Sequence, residues 1–313
     1  MSQAIACIVA DWGTTNLRVW AMGAGGEVLG QRNSPRGLLA VEAGRFSQAL
    51  QEACGDWLGQ ARHPPVVMCG MVGSKLGWKE VPYLSAPLAL DRLAHHLSPV
   101  ETQIPAKTWI VPGVKLDDPA QPEVMRGEET QILGALQTLG RSDGVFLLPG
   151  THSKWAIVEA GQLMAFRTYL TGEFFGLLRK SGTLSQLMAG NATDDKAFRR
   201  GVLRAKSPDA GNLLHSLFSV RTLGLLGGVA PSGLANYMSG LLIGAEMQDA
   251  LGWLRTRGKP ALAIGIGTPG IVDAYSTAAS LWDFELSVLD SAIVVPRGLM
   301  SIAALAGILS QNA

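Results

Sequence analysis

One pattern occurs twice in this 313-residue chain and restricts its fold more than any other feature: an apolar strand, a short Gly/Thr turn, and a second strand carrying a tryptophan. The first copy is Ile5-Ala-Cys-Ile-Val-Ala-Asp11-Trp-Gly13-Thr14-Thr15-Asn-Leu-Arg18-Val-Trp20. The second is Val145-Phe-Leu-Leu-Pro-Gly150-Thr151-His152-Ser153-Lys154-Trp155-Ala-Ile-Val158. Each continues into another turn and strand, reaching Glu27-Val28-Leu29 and Gln162-Leu163-Met164. Glycine lets backbone approach a ligand closely, and hydroxyls and free N–H groups beside it suit an anion. Two such hairpins facing each other across a cleft would hold a polyphosphate from both sides, which points to nucleotide chemistry.

Composition narrows the partners. With 47% hydrophobic and 16% charged residues the chain can bury a large core, and its length favours two domains. A net charge of +1 supplies no basic field for nucleic acid, and no run of like charge marks a membrane surface. The three cysteines, Cys7, Cys54 and Cys69, lack C-x-x-C spacing, so neither a disulfide framework nor a zinc site is indicated. The apolar stretch 5–10 is too short for a signal sequence or a span, and a cytoplasmic protein is expected. The apolar segments 223–230 and 241–245 read as core, and an apolar helix face would suit a homodimer.

Apolar periodicity predicts helices over 46–58, 127–139, 213–218, 234–253, 272–280 and 300–309. Strands besides the hairpins are predicted at 66–69, 109–111, 261–265 and 292–295, with Pro296-Arg297-Gly298 as a turn opening the last helix. The alternation argues for an α/β fold. The polar turn Ser142-Asp143-Gly144 before the second hairpin suggests domains at 1–142 and 143–313.

The two hairpins and a Gly-rich segment near the carboxy terminus resemble the phosphate-1, phosphate-2 and adenosine motifs of the actin, sugar kinase and Hsp70 ATPase superfamily. Within it, Val124-Met-Arg-Gly-Glu-Glu-Thr-Gln-Ile132, Pro149-Gly-Thr-His-Ser-Lys-Trp155, Arg167-Thr-Tyr-Leu-Thr-Gly-Glu173 and Gly240-Leu-Leu-Ile-Gly-Ala-Glu246 resemble the 2-dehydro-3-deoxygalactonokinase family. Gly70-Met-Val-Gly73-Ser74, Gly77-Trp78 and Pro82-Tyr83 add to the likeness, which runs over nearly the whole chain. The resemblance implies a two-domain actin-like ATPase fold, of ribonuclease H type, with an interdomain cleft. It also implies ATP- and Mg²⁺-dependent phosphorylation of 2-dehydro-3-deoxy-D-galactonate at its 6-hydroxyl.

Phosphoryl transfer needs positioning and charge neutralisation more than covalent help. Asp11 ends a strand, where its carboxylate could hold the waters of Mg²⁺ or merely cap a turn. Gly13, Thr14 and Thr15 would meet phosphate, and Arg18 would reach a phosphate or pair a carboxylate. In the second hairpin Gly150 and Thr151 are candidate contacts to the β- or γ-phosphate, joined by His152, Ser153 and Lys154. A histidine in a polar turn is more often a hydrogen-bonding residue than a base. Pro149 stands where many superfamily members carry an acidic residue, which argues against a second metal-holding carboxylate.

In related sugar kinases an acidic residue near the start of the helix preceding phosphate-2 is the base, and Glu128 and Glu129 match that location. Glutamates in a first turn also simply complement the helix dipole. For the sugar acid, Arg126 and Arg167 can grip a carboxylate in two places, although either could be a structural ion pair. Thr171, Gly73, Ser74 and Trp78 complete the candidate pocket, and the tryptophan would equally serve as packing. Gly265-Ile-Gly267-Thr268-Pro-Gly270 precedes a helix with Tyr275 and Ala278 and would admit adenosine. The same string fits a G-x-G-x-x-G dinucleotide fingerprint with Asp290 as ribose partner, making an NAD oxidoreductase the chief rival. A superfamily phosphohydrolase using the Glu-Glu pair, and a chaperone-like ATPase with a peptide-binding extension, are further alternatives.

Overall fold

The computed structural model describes residues 4–59 and 63–309. Contacts divide the chain into two compact units: unit 1 comprises Met1–Gly144, Ile157–Phe166 and Leu289–Ala313, and unit 2 comprises Val145–Ala156 and Arg167–Val288. The first cut falls beside the expected turn at 142–144. The segments 157–166 and 289–313, however, belong with the amino-terminal unit, so the division is not the single boundary read from the sequence.

Unit 1 opens with β1 (Cys7–Trp12), β2 (Leu17–Met22), β3 (Val28–Ser34), α1 (Phe46–Cys54) and β4 (Val66–Cys69). It continues with β5 (Leu84–Ser85), β6 (Leu88–Ala89), β7 (Ser98–Val100), β8 (Thr108–Ile110), β9 (Val114–Leu116), β10 (Glu123–Met125) and α2 (Glu128–Leu139). The main sheet has the order β3-β2-β1-β4-β8-β7. The β1–β2 hairpin is antiparallel with Asp11 opposite Arg18, and β4 runs parallel to β1 with Cys69 beside Asp11. Strand β1 is buried almost throughout, which explains its near-continuous apolar run. Phe46, Ala49 and Leu50 of α1 join Ile8, Ala10 and Trp12 in one core.

Unit 2 holds most of β11 (Gly144–Leu148), the starts of β12 (Ser153–Glu159) and the end of β13 (Gln162–Tyr169), then α3 (Thr171–Lys180) and α4 (Gly182–Ser185). There follow α5 (Asp195–Lys206), α6 (Leu213–Leu225), α7 (Leu234–Thr256), β14 (Leu262–Gly267), α8 (Pro269–Ala279) and β15 (Glu285–Asp290). Strand β14 lies parallel to β11. Helix α7 is buried along most of its length and packs closely on α5, where a Cβ on Gly240 would stand 2.0 Å from the Phe198 carbonyl oxygen.

Three expectations are corrected. Residues 292–295 are not a strand, and 296–298 are not a turn: all lie in α9 (Ser291–Leu305), which returns to unit 1. The run Ile293-Val-Val295 is β-branched, but Asp290 caps the helix by accepting from Ala292 N at 2.8 Å, and Val294, Val295 and Leu299 are fully buried. Packing on α2 thus outweighs both β propensity and Pro296. Second, 223–230 is core only in part: Leu225 at the end of α6 and Leu226 after it are exposed, while Val229 is buried and Leu223 packs on the same cluster. Third, α3, α4 and α5 fall where the helices predicted from periodicity left a gap. Helix α5 is rich in Arg and Lys, yet it buries Ala197, Phe198, Gly201, Val202 and Ala205 at helical spacing under an Asp194 cap.

Candidate active site

Chemistry-bearing residues gather in each unit separately. In unit 1 the turn after β1 closes with Gly13 N donating to Asn16 O at 2.9 Å, leaving Thr14 and Thr15 exposed. The loop at 37–39 braces it: Gly37 N donates to Thr15 O, Leu38 N to Gly13 O and Leu39 N to Thr14 O. A Cβ on Gly37 would lie 2.2 Å from the Thr15 carbonyl carbon, so only glycine allows this approach. Arg18 Nη2 meets Asp11 Oδ2 at 2.5 Å, and its Nη1 donates to Ser291 Oγ at 3.1 Å, so Arg18 takes the carboxylate-pairing alternative.

Beside Asp11 lie β4 and the start of α2. The Cys69 Sγ is 4.0 Å from Asp11 Oδ1, and burial together with Asp11 and Glu129 raises that thiol well above its usual range, keeping it neutral. Gly127 adopts a φ of 108°, open to glycine, and a Cβ there would stand 3.2 Å from Gly70 Cα. This tight crossing sets the two glutamates in different environments. Glu129 is fully buried, and both its oxygens accept from Gly127 N at 2.9 and 2.8 Å while Thr130 Oγ1 donates to Oε1 at 3.1 Å. Burial and, secondarily, the Glu128 charge push its carboxyl up to about 7. Glu128 is half-buried and accepts from Arg126 N at 2.9 Å.

Arg126 is 8% exposed. Its Nη2 donates to Val81 O at 2.7 Å and its guanidinium stacks 4.2 Å from the Tyr83 ring centroid, while Nε and Nη1 have no hydrogen-bond partner. Gly73 lies against that Nη1, since a Cβ there would stand 2.9 Å from it, and the buried Ser74 Oγ is likewise unpartnered. Trp78 packs edge-on to Trp12 and stacks on Phe46, with centroids 6.3 and 6.1 Å apart, so packing accounts for it.

In unit 2 a cavity of about 340 Å³ is lined by Gly150, Thr151, Thr171, Gly172 and Phe175, by Ser239, Leu242 and Ile243 of α7, and by Gly270, Ile271, Ala274 and Tyr275 of α8. Thr171, expected on the sugar acid, is here a wall of this cavity. A helix start braces the second turn: Glu173 N donates to Thr151 O at 2.9 Å, and a Cβ on Gly172 would meet Gly150 O at 2.3 Å. His152 is exposed and tied to Glu173 at 2.5 Å. Ser153 and Lys154 are buried, and Ser153 Oγ donates to Glu246 Oε1 at 2.7 Å, which directs the serine away from the exposed turn.

Arg167 pairs with Asp249 at 2.8 Å, the ion-pair alternative. Gly265 is buried inside β14 against Leu286 and Val272, Gly267 follows at the strand end, and Thr268 is exposed before α8. Asp290, the ribose partner of the dinucleotide reading, instead caps α9. Glu246 and Gly172 were legible only as parts of family-like strings, and Gly37 carried no local signal.

A glycine-threonine hairpin on a mixed sheet in each unit, with a cavity walled by one of these turns and a helix after a Gly-rich strand end, defines an actin-like ATPase fold of the sugar kinase class. The activator of the 2-hydroxyisocaproyl-CoA dehydratase from Clostridium difficile with bound ADPNP shares that fold, with a TM-score of 0.53 at 12% identity over 97% of this chain and 96% of that one. The family model for 2-keto-3-deoxy-galactonokinase matches residues 11–302, and the chain belongs to that family. It is 33% identical over 296 residues to the 2-dehydro-3-deoxygalactonokinase of Escherichia coli (strain K12), covering 95% of this chain and 97% of that protein. A solved structure assigned to 2-dehydro-3-deoxygalactonokinase from Sinorhizobium meliloti superposes with a TM-score of 0.86 at 32% identity, covering 95% of this chain and 98% of that one. Among the described residues no helix is long and apolar enough to cross a membrane.

Proposed function

We propose that this protein transfers the γ-phosphoryl group of ATP to the 6-hydroxyl of 2-dehydro-3-deoxy-D-galactonate, in the cytoplasm, as a step of galactonate breakdown. Family membership supports the reaction class. The observation that carries the acid substrate is the buried Arg126 guanidinium, with two unpartnered nitrogens and Gly73 against one of them, together with the unpartnered hydroxyl of the following residue, Ser74. Leaving such donors unsatisfied is costly, and a carboxylate is the group that a guanidinium edge binds best. Unit 1 therefore takes the acid, and the cavity of unit 2 takes the nucleotide, with Gly150 and Thr151 against phosphate and Tyr275 against the adenosine.

Of the two candidate bases, Glu128 is the one with solvent access, while Glu129 is occupied in holding Gly127 N. Glu128 accepts the hydroxyl proton as the substrate oxygen bonds to the γ-phosphorus and the bond to the ADP oxygen breaks. Asp11 is the carboxylate that would hold a hydrated Mg²⁺, which when bound supplies charge neutralisation at the phosphates. Its Oδ1 is not engaged by Arg18, and one carboxylate with water and phosphate is a usual ligand set for this ion.

The test is ADP release from ATP across a panel of aldonates and 2-keto-3-deoxy sugar acids, with mass detection of the phosphorylated product. ATP hydrolysis that ignores the acids would overturn the reading. Glu128→Gln is expected to lower kcat by at least about 10² while retaining ADP affinity, with Glu129→Gln affecting kcat less.

A further inference from the structure

The geometry points to Glu246 as the positioning residue of the nucleotide cavity: one buried carboxylate that fixes every wall of the cavity relative to the others. This rests on the kinase reading for its consequence but not for its geometry. Glu246 lies on α7 and is 4% exposed. Its Oε1 accepts from Ser153 Oγ at 2.7 Å and from Trp155 Nε1 at 2.8 Å. Its Oε2 accepts from Tyr275 OH at 2.7 Å and from Thr171 Oγ1.

The donors come from the segments that line the cavity. Ser153 and Trp155 follow the turn that presents Gly150 and Thr151, Thr171 begins α3 beside Gly172, and Tyr275 sits on α8 after Gly270 and Ile271. Leu242 and Ile243, one helical turn before Glu246, complete the enclosure. A carboxylate removed from water is stable only when its lone pairs are filled, and here side-chain donors fill them. Because an indole N–H can only donate, Trp155 requires an oxygen at the Oε1 position. Burial raises the Glu246 carboxyl and the surrounding donors oppose that shift, consistent with donors arranged for the charged form.

A carboxylate that merely held the fold together would change stability without favouring one substrate over the other. Glu246→Gln keeps Oε1 for Ser153 and Trp155 and places an NH₂ group where Thr171 and Tyr275 now donate. It is expected to raise KM for ATP about tenfold, to weaken ADP binding measured by calorimetry by the same factor, and to leave KM for the sugar acid within about twofold. Ser153→Ala is the second variant. Ser153 does not line the cavity and reaches it through Glu246 and, at 3.4 Å, the Tyr275 hydroxyl that Glu246 also holds, so about a threefold rise in KM for ATP is expected, not additive with Glu246→Gln. Lower melting temperature in both variants with unchanged ADP affinity and unchanged KM for ATP would overturn the assignment. Weakened ADP binding in both, in a protein whose wild type phosphorylates no sugar acid, would uphold Glu246 and sink the kinase reading instead.

Discussion

The two Gly/Thr turns look alike in sequence and are held by different means. The first is braced chiefly by main chain, through the loop at 37–39, with Trp12 Nε1 donating to Arg36 O at 3.0 Å beside it. The second is braced by the start of α3 and anchored from below by side chains converging on Glu246. Each nonetheless has a glycine pressed against it, Gly37 or Gly172, at a distance that no Cβ tolerates. A shared sequence motif therefore specifies the turn but not its support. Main-chain bracing depends on backbone geometry, whereas side-chain anchoring can be cut one bond at a time.

The largest expected effect comes from filling those two approaches. Gly172→Ala and Gly37→Ala each force backbone apart, and kcat/KM for ATP should fall about 10²-fold in both, as expected when a reacting group is displaced by about 1 Å. Steady-state kinetics with full-length variants checks this, and an alanine tolerated at only one turn would show that the other turn alone needs its brace. A smaller effect separates the buried glutamates of the two units. Because the folded-state value of Glu129 is raised from 4.5 to about 7, the folded state holds a proton that the unfolded chain gives up. This contribution to stability is complete below about pH 4.5 and is lost as pH rises through about 7. Glu129→Gln should flatten the decline of the melting temperature between pH 5 and 8, and an unchanged slope would contradict it. Smallest is His152→Ala. Its partner Glu173 lies on the same exposed surface, so a change in stability of no more than about 0.5 kcal/mol and near-normal turnover are expected, against a base role for this histidine.

The hairpins, α2, α7 and α8 were legible because apolar periodicity and Gly/Thr turns are local signals. Helix α9 was not, because Ile293-Val-Val295 before Pro296 has the local character of a strand, and burial against α2 decided otherwise. Helix α5 was hidden by its charge, its few apolar residues being spaced too thinly to stand out. At the site, residue type made Arg126 and Arg167 equal candidates. They separate only when the Asp249 carboxylate is seen to pair with Arg167 while Arg126 keeps two unpartnered nitrogens. Glu246 draws its donors from positions 153, 155, 171 and 275, and no reading of local spacing could have gathered them.

The crossing of α2 and α9 has one more consequence. A Cβ on Gly134 would lie 1.9 Å from the Val294 carbonyl oxygen and one on Gly298 2.2 Å from that of Thr130, so the helix bearing Glu128 rests directly on the backbone of a segment made more than a hundred residues later. On the ribosome, the acid-bearing helix cannot complete its packing until that late segment emerges.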